Sequence, residues 1–170
     1  MKFLRLLNAV LLKIAGWAVM FSMASIAIII PYEVFGRYIL GNMSSWTSEY
    51  SQYALVWASM LGGAVGLKRG YQVGITSLTD ALPPGPSKVV QAMSSICVII
   101  FLSLTSWYGV EQMMMNRFQV SSTMGIPMSI PYAALPVGFF VMLLVSIEQF
   151  VDLLSGAGKE TEAPADMQGA

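Results

Sequence analysis

Long apolar runs alternate with short polar segments along this chain of 170 residues. Four runs stand out, at about 14–38, 46–67, 87–115 and 127–154. An α-helix needs about 20 apolar residues to cross the ~30 Å hydrocarbon core of a bilayer, so each run is long enough. At 1.5 Å per residue the third run would extend roughly 43 Å, and it must therefore tilt or project beyond the membrane. The pattern predicts an all-α integral membrane protein with four long tilted transmembrane helices in one domain, residues 1–155.

The first run has two interpretations. Basic residues precede it at Lys2, Arg5 and Lys13, as they do in a cleaved signal peptide. However, Lys13 interrupts the early apolar region, and the run that follows is longer than an ordinary signal core. We expect this segment to be retained as the first transmembrane helix, with cleavage as the alternative.

Two segments outside the four runs differ from them in composition. Between the second and third runs, residues 71–82 place Tyr71, Ile75, Leu78 and Leu82 at helical spacing among polar neighbours. Such a segment is too short to cross a bilayer, and it predicts a short amphipathic in-plane helix, with a simple loop as the alternative. The end of the chain, 156–170, is small and polar, which predicts a disordered tail.

The fourth run contains prolines near its start. Pro131 and Pro136 follow Pro127 within the expected helix. Each proline removes a backbone donor and tends to kink a helix interior, but it is tolerated in a first turn. We expect a kink or packing at the helix start, with a hinge as the alternative.

The second run shows two distinct faces when it is wound at 100° per residue. Small residues recur every fourth position along one face, and aromatic residues with one acid occupy a neighbouring face. Small residues allow another backbone to approach closely within a membrane. The run predicts a helix held by other helices, either within the four-helix unit or in a partner. The candidate subunit interface comprises Trp46, Glu49, Tyr50, Tyr53, Trp57, Ala58, Gly62 and Gly66.

Charged residues cluster at the predicted ends of the spans. Glu33 and Arg37 are four residues apart, so they share a helix face and can form an ion pair. That pair either marks the membrane boundary or contacts a partner or a phospholipid headgroup. Lys68 and Arg69, which end the second run, are candidates for the same two roles.

The distribution of basic residues predicts the orientation of the chain. With four spans, one side of the membrane holds Lys2, Arg5, Lys13, Lys68, Arg69, Lys88 and Lys159, and the other side holds only Arg37 and Arg117. Cytoplasmic segments of membrane proteins carry the excess of Lys and Arg. Both termini and the tail are therefore predicted to be cytoplasmic.

Composition narrows the chemistry that this chain can perform. It is 56% hydrophobic and 11% charged, and its net charge of zero gives no indication of a nucleic-acid partner. With no histidine and one cysteine, Cys97, the chain has no His/Cys metal site and no disulfide pair. No acid interrupts the middle of a predicted span, where a coupling carboxylate is expected. We therefore expect a structural subunit with no catalytic or metal site and no cofactor, with carboxylate-only metal or acid–base sites as the alternative.

A stand-alone transporter is the alternative to a structural subunit. A small homodimeric exporter would use Glu33 or Glu49 as its proton-coupled carboxylate. Both acids lie towards the predicted outer surface, which is a poor position for that role.

Several motifs, taken in order, resemble one family. They are FGRY after the first run, WTSEYSQYALVW and LGGAVGLKRG in the second, ALPP before the third, and GIPMSIPYAALPVG at the start of the fourth. In this order they are similar to the small membrane (Q) subunit of tripartite ATP-independent periplasmic (TRAP) transporters, over residues 14–154.

The resemblance implies a function beyond what the spacing indicates. In such transporters a periplasmic binding protein captures an organic acid, such as a C4-dicarboxylate or a sialic acid. A large elevator-type (M) subunit then carries it across the bacterial inner membrane, coupled to sodium. The Q subunit is implied to be a non-catalytic scaffold that contacts the M subunit and phospholipids. It is also a candidate docking partner of the binding protein, while the sodium and substrate sites belong to the M subunit.

Overall fold

The computed structural model describes residues 2–39, 41, 45–69 and 84–155, and this part of the chain is almost entirely helical. The long helices are α1 (Lys2–Tyr38), α2 (Ser45–Lys68), α3 (Pro84–Met115) and α5 (Ala134–Leu154). A 3-10 turn at Asn116–Phe118 and a short helix, α4 (Ser129–Tyr132), connect α3 to α5. The predicted all-α class is confirmed. The predicted in-plane helix at 71–82 and the tail at 156–170 lie outside the described residues.

Three helical segments are long and apolar enough to cross a membrane. Within the described ranges they are Leu4–Tyr38, Gly85–Phe118 and Ser129–Leu154. Helix α2 forms where the second span is predicted, and its 24 residues extend roughly 36 Å. It does not belong to the apolar set, because serine, threonine and glutamine residues are spread along it.

Helix α5 is the central helix of the fold. It packs against α2 on one side and α3 on the other, and it also contacts α1. Helix α1 packs mainly along α2, so the helices lie side by side in the order α1, α2, α5, α3. In an apolar stretch of 18 residues within Ser129–Leu154, 39% of residues are buried, against 6% in the equivalent stretches of Leu4–Tyr38 and Gly85–Phe118. The two outer helices therefore leave most of their surface to their surroundings.

Small residues fill the contacts between the helices. Among the described residues, four of the seven buried hydrophobic side chains belong to alanines, and the seven residues are Ala15, Ala58, Ala64, Leu102, Ala134, Val141 and Val145. Large side chains point outward instead, including Phe21, Ile28 and Trp107. Lipid tails are as apolar as a protein core, so a membrane protein gains little from burying large side chains and packs through close backbone approach.

Two helix contacts that leave no room for a side chain occur at glycines that the sequence analysis did not select. A Cβ atom placed on Gly138 of α5 would lie 2.6 Å from Cβ of Met60 in α2. A Cβ on Gly109 of α3 would lie 3.1 Å from the backbone nitrogen of Pro136. Because these neighbouring atoms belong to or adjoin backbone, they cannot move aside cheaply, and glycine is needed at both positions.

Two of the three prolines of the fourth predicted span lie at helix starts, whereas Pro127 lies in the loop before α4. Pro131 is within the four residues of α4, and Pro136 is the third residue of α5. First-turn positions need no backbone donor, so neither proline removes a hydrogen bond from the interior of α5. Ala133 separates α4 from α5 but keeps helical backbone angles, φ −62° and ψ −22°. The arrangement agrees with the expected packing at the helix start.

Substitution of Gly138 by alanine should separate the contribution of packing to the free energy of unfolding from the contribution of helix propensity. Gly138→Ala is expected to lower the free energy of unfolding by about 1–3 kcal/mol, because the added methyl group overlaps Met60. The matched control is Gly16→Ala in α1, where nothing lies within 4 Å of the added atom. The control should be neutral or stabilising by up to about 1 kcal/mol, since alanine favours helix. SDS titration in detergent measures both, and equal effects would contradict the packing argument.

Candidate functional site

The predicted interface residues of α2 are divided between the interior and the surface. Tyr50 donates a hydrogen bond from its hydroxyl to Ser25 Oγ in α1, at 3.0 Å. Ala58 is buried, and an added Cβ on Gly62 would lie 3.9 Å from Val19 in α1. Most of this face therefore packs within the chain.

The remaining members of the predicted set have different surroundings. Trp46 is 44% exposed, and Trp57 is partly buried. Gly66 borders a cleft and has no atom within 4 Å of an added Cβ. That the whole set forms a subunit interface stays a prediction.

Glu49 holds the loop that precedes α4. This loop, residues 119–128 and here called the hairpin loop, folds back through an antiparallel bridge between Val120 and Pro127. Gly125 has a φ of +68° at its turn, in the left-handed region that favours glycine. The Glu49 carboxylate accepts hydrogen bonds from the backbone N–H groups of Thr123 and Met124, both at 3.1 Å, and from the Thr123 hydroxyl.

Tyr53 completes this contact from α2. Its hydroxyl donates to the other oxygen of Glu49 at 2.6 Å and lies 3.3 Å from the sulfur of Met128. Hydrogen bonds of this kind to a carboxylate are stronger than those between neutral groups. The pair Glu49 and Tyr53 thus fastens the hairpin loop to the beginning of α2.

A second polar cluster joins three helices at the opposite end of α2. Glu148 of α5 is buried, with a side chain 5% exposed, and one of its oxygens lies 2.8 Å from Nζ of Lys68. Its other oxygen accepts a hydrogen bond from Nδ2 of Asn8 in α1, at 2.7 Å. The same Asn8 nitrogen lies 3.0 Å from the Leu144 carbonyl oxygen. The three side chains of Asn8, Lys68 and Glu148, here called the Glu148 cluster, tie α1, α2 and α5 together.

Two further contacts flank the Glu148 cluster. Arg5 of α1 pairs with Asp152 of α5, and Gln149 donates from its side-chain amide to the Leu67 carbonyl oxygen at 2.8 Å. The first contact joins the first turns of α1 to the end of α5, and the second joins α5 to α2. Retention of the first helix stays a prediction.

Sequence reasoning missed Asn8, Glu148, Gln149 and Asp152. The acid at 148 lies near the end of the fourth predicted span, and the sequence analysis does not single it out. Its spacing carries a different signal. Val141, Val145 and Glu148 fall at i, i+4 and i+7, so the acid shares the face that packs into the core.

The charged residues that were predicted at the ends of the first two spans lie in different surroundings. Arg37 donates to Glu33 at 2.8 Å, and the Arg37 side chain is 46% exposed. Lys68 pairs with Glu148, whereas Arg69 is exposed at the end of α2. Among the described residues, no group of three or more His, Cys, Asp or Glu side chains is placed to hold a metal ion. The carboxylates described above are engaged in contacts between helices, loops and ion pairs.

Comparison with known proteins identifies the family. Residues 26–156 match the family model of the DctQ component of tripartite ATP-independent periplasmic transporters. The chain belongs to this family. Together with its three long apolar helices, membership makes it a multi-pass membrane protein of the TRAP small permease type.

Individual relatives of this DctQ-family chain are transporter permease proteins. It is 25% identical over 132 residues to the sialic acid TRAP transporter small permease protein SiaQ of Vibrio cholerae, covering 78% of this chain and 76% of the relative. It is 21% identical to the C4-dicarboxylate TRAP transporter small permease protein DctQ of the same species, covering 88% and 78%.

A third relative has a different size. The isethionate TRAP transporter permease protein DctMQ of Oleidesulfovibrio alaskensis is 25% identical over 128 residues. The match covers 71% of this chain but only 20% of the relative. None of these relatives favours the stand-alone exporter.

Removal of the Glu49 side chain should loosen the hairpin loop. In Glu49→Ala, the Thr123 and Met124 amides lose a charged acceptor, which is worth about 1–3 kcal/mol. Amide hydrogen exchange across 119–128 should therefore accelerate by roughly tenfold or more. Glu33→Ala is the matched control, because it removes an acid bonded to Arg37 and should leave the loop unchanged. Unaltered protection in Glu49→Ala would show that the carboxylate does not hold the loop.

Neutralising Lys68 should destabilise the fold through the carboxylate left behind. Lys68→Met is expected to lower the free energy of unfolding by about 1–3 kcal/mol, since Glu148 keeps its charge in a buried site. Adding Glu148→Gln should restore part of the loss, because the amide is neutral and still accepts from Asn8. Arg37→Met, which breaks an exposed pair, should cost under about 1 kcal/mol. SDS titration tests all three, and strictly additive effects at 68 and 148 would exclude the coupling.

Proposed function

We propose that this chain is the non-catalytic small membrane subunit of a TRAP transporter and that it holds a large membrane subunit in position. The observation that carries the proposal is the isethionate permease DctMQ. A segment similar to 71% of this chain makes up one fifth of that much longer permease. A module that is joined to a larger permease in one relative is expected to associate with a separate one here.

The proposed topology has four spans, with α2 as the second. Helix α2 lies between α1 and α5, and both of these are long and apolar enough to cross a membrane. Its roughly 36 Å exceed the ~30 Å of the hydrocarbon core. The bias of seven basic residues against two supports a topology with both termini in the cytoplasm, and the bacterial inner membrane is the proposed location.

Substrate transport and sodium coupling are assigned to the large subunit. Relatives are named for sialic acid and C4-dicarboxylate, so an organic acid is the proposed class of substrate. The carboxylates best placed for a coupling role here, Glu49 and Glu148, are engaged by the hairpin loop and by Lys68. This chain is accordingly proposed to need no cofactor and to bind no substrate.

The outer and the cytoplasmic side of the helical unit each have a proposed partner in addition to the large subunit. The hairpin loop lies on the predicted outer side, where a periplasmic binding protein would dock. At the other end, exposed Arg69 is suited to a phospholipid headgroup.

Co-expression with a large TRAP permease subunit from the same organism tests the proposal. An affinity-tagged form of this chain should purify in mild detergent as a one-to-one complex with that subunit. In proteoliposomes, uptake of the organic acid should require this chain, the large subunit, the binding protein and a sodium gradient. Omission of each component in turn is the control. Transport by this chain alone, or by the large subunit without it, would overturn the scaffold role.

A further inference from the structure

One face of α2 is exposed from the start of the helix to Gly63. The exposed positions on this face follow helical spacing, so they form a single stripe, here called the α2 stripe. Its members are Ser45, Ser48, Gln52, Leu55, Val56, Ser59 and Gly63. Four of these seven residues are polar, although the stripe runs through a proposed membrane span.

This stripe differs from the exposed faces of the neighbouring helices. Helix α1 presents Phe21 and Ile28, which are 73% and 71% exposed, and α3 presents Leu104, which is 55% exposed. Such side chains suit a lipid environment. The α2 stripe instead presents a glutamine amide and serine hydroxyls, which explains why α2 is less apolar than the other long helices.

Gln52 has hydrogen-bonding capacity that the chain itself does not use. Within the described part of the chain, no hydrogen bond engages the side chain of Gln52 or of Ser59. By contrast, Ser103 on the exposed side of α3 donates to the Ile99 carbonyl oxygen at 2.8 Å. Lipid tails offer no donors or acceptors, so an unpaired amide facing them is unfavourable, whereas polar side chains commonly bond across helix contacts in membranes.

The stripe leads into a cleft at the Lys68 end of α2. This cleft, of about 350 Å³, is formed by Gly63 and Gly66 of α2, Phe101 and Leu102 of α3, and Met142 of α5. No atom lies within 4 Å of a Cβ added to Gly66. The cleft therefore has room for apolar side chains that enter from outside the chain.

We propose that one transmembrane helix of the large permease subunit packs along the α2 stripe. Ser59 and Gly63 allow its backbone to approach closely, Gln52 bonds to a polar group on it, and an apolar side chain enters the cleft. This inference rests on the proposed function, because that function supplies a membrane partner of sufficient size. It selects the stripe over the Tyr50 and Tyr53 face, which packs within the chain.

Site-specific photo-crosslinking within the co-expressed complex tests this assignment. The photoreactive residue p-benzoylphenylalanine replaces Gln52, Leu55 or Ser59 on the stripe. Matched controls carry it at Ile28 of α1 and Leu104 of α3, which are also exposed. We expect irradiation to join this chain to the large subunit from the α2 positions and not from the controls.

Each other outcome has a defined meaning. If the bulky probe displaces the large subunit from the α2 positions alone, while those variants stay membrane-inserted and monodisperse, the assignment is also supported. Three results would overturn the assignment. They are adducts between two copies of this chain, adducts to the large subunit only from positions 28 or 104, and no protein adduct at the α2 positions in an intact complex. Failure of the unsubstituted chain to bind the large subunit would overturn the proposed function instead.

Discussion

The buried contact of Glu148 with Lys68 and Asn8 determines how the helices of this chain fit together. One carboxylate engages α1 and α2 at once, from the helix that is central to the fold. Its burial is unfavourable without these partners, so the contact favours the arrangement of the three helices in which the charge is paired. Small residues then allow the close approach that this arrangement requires. Polar contacts specify the positions of the helices, and alanine and glycine make those positions accessible.

A second carboxylate, Glu49, extends the same principle to the other end of α2. It gathers the backbone donors of the hairpin loop, so the connection between α3 and α5 is fixed against α2. Helix α2 is thereby held at both ends. What it leaves free is one polar face, which is the feature of the molecule most difficult to reconcile with lipid contact.

The sequence predicts the helices of this fold better than their mutual orientation. Hydropathy and length locate α1, α3 and α5, because a bilayer imposes both, and α2 forms where the second and less apolar run is predicted. Periodicity also divides α2 into faces, but it does not reveal which face turns inward: Tyr50 and Tyr53 read equally well as an external surface and as internal packing. The burial of Glu148 was not predicted, because distance from a helix end is a poor measure of burial. Only its register with Val141 and Val145 indicates an inward side chain.

The contacts of Glu49 and Glu148 join segments that are far apart in the chain. Thr123 and Met124 follow Glu49 by 74 and 75 residues, and Glu148 follows Asn8 by 140. At ribosomal rates of about 5–20 residues per second, roughly 4–15 s pass between the synthesis of Glu49 and that of the loop that binds its carboxylate. During that interval Asn8, Glu49 and Lys68 lack their partners. Arrival of α5 thus completes the charge pairing of helices made much earlier, and a chain truncated before it would expose unpaired polar groups to membrane quality-control proteases.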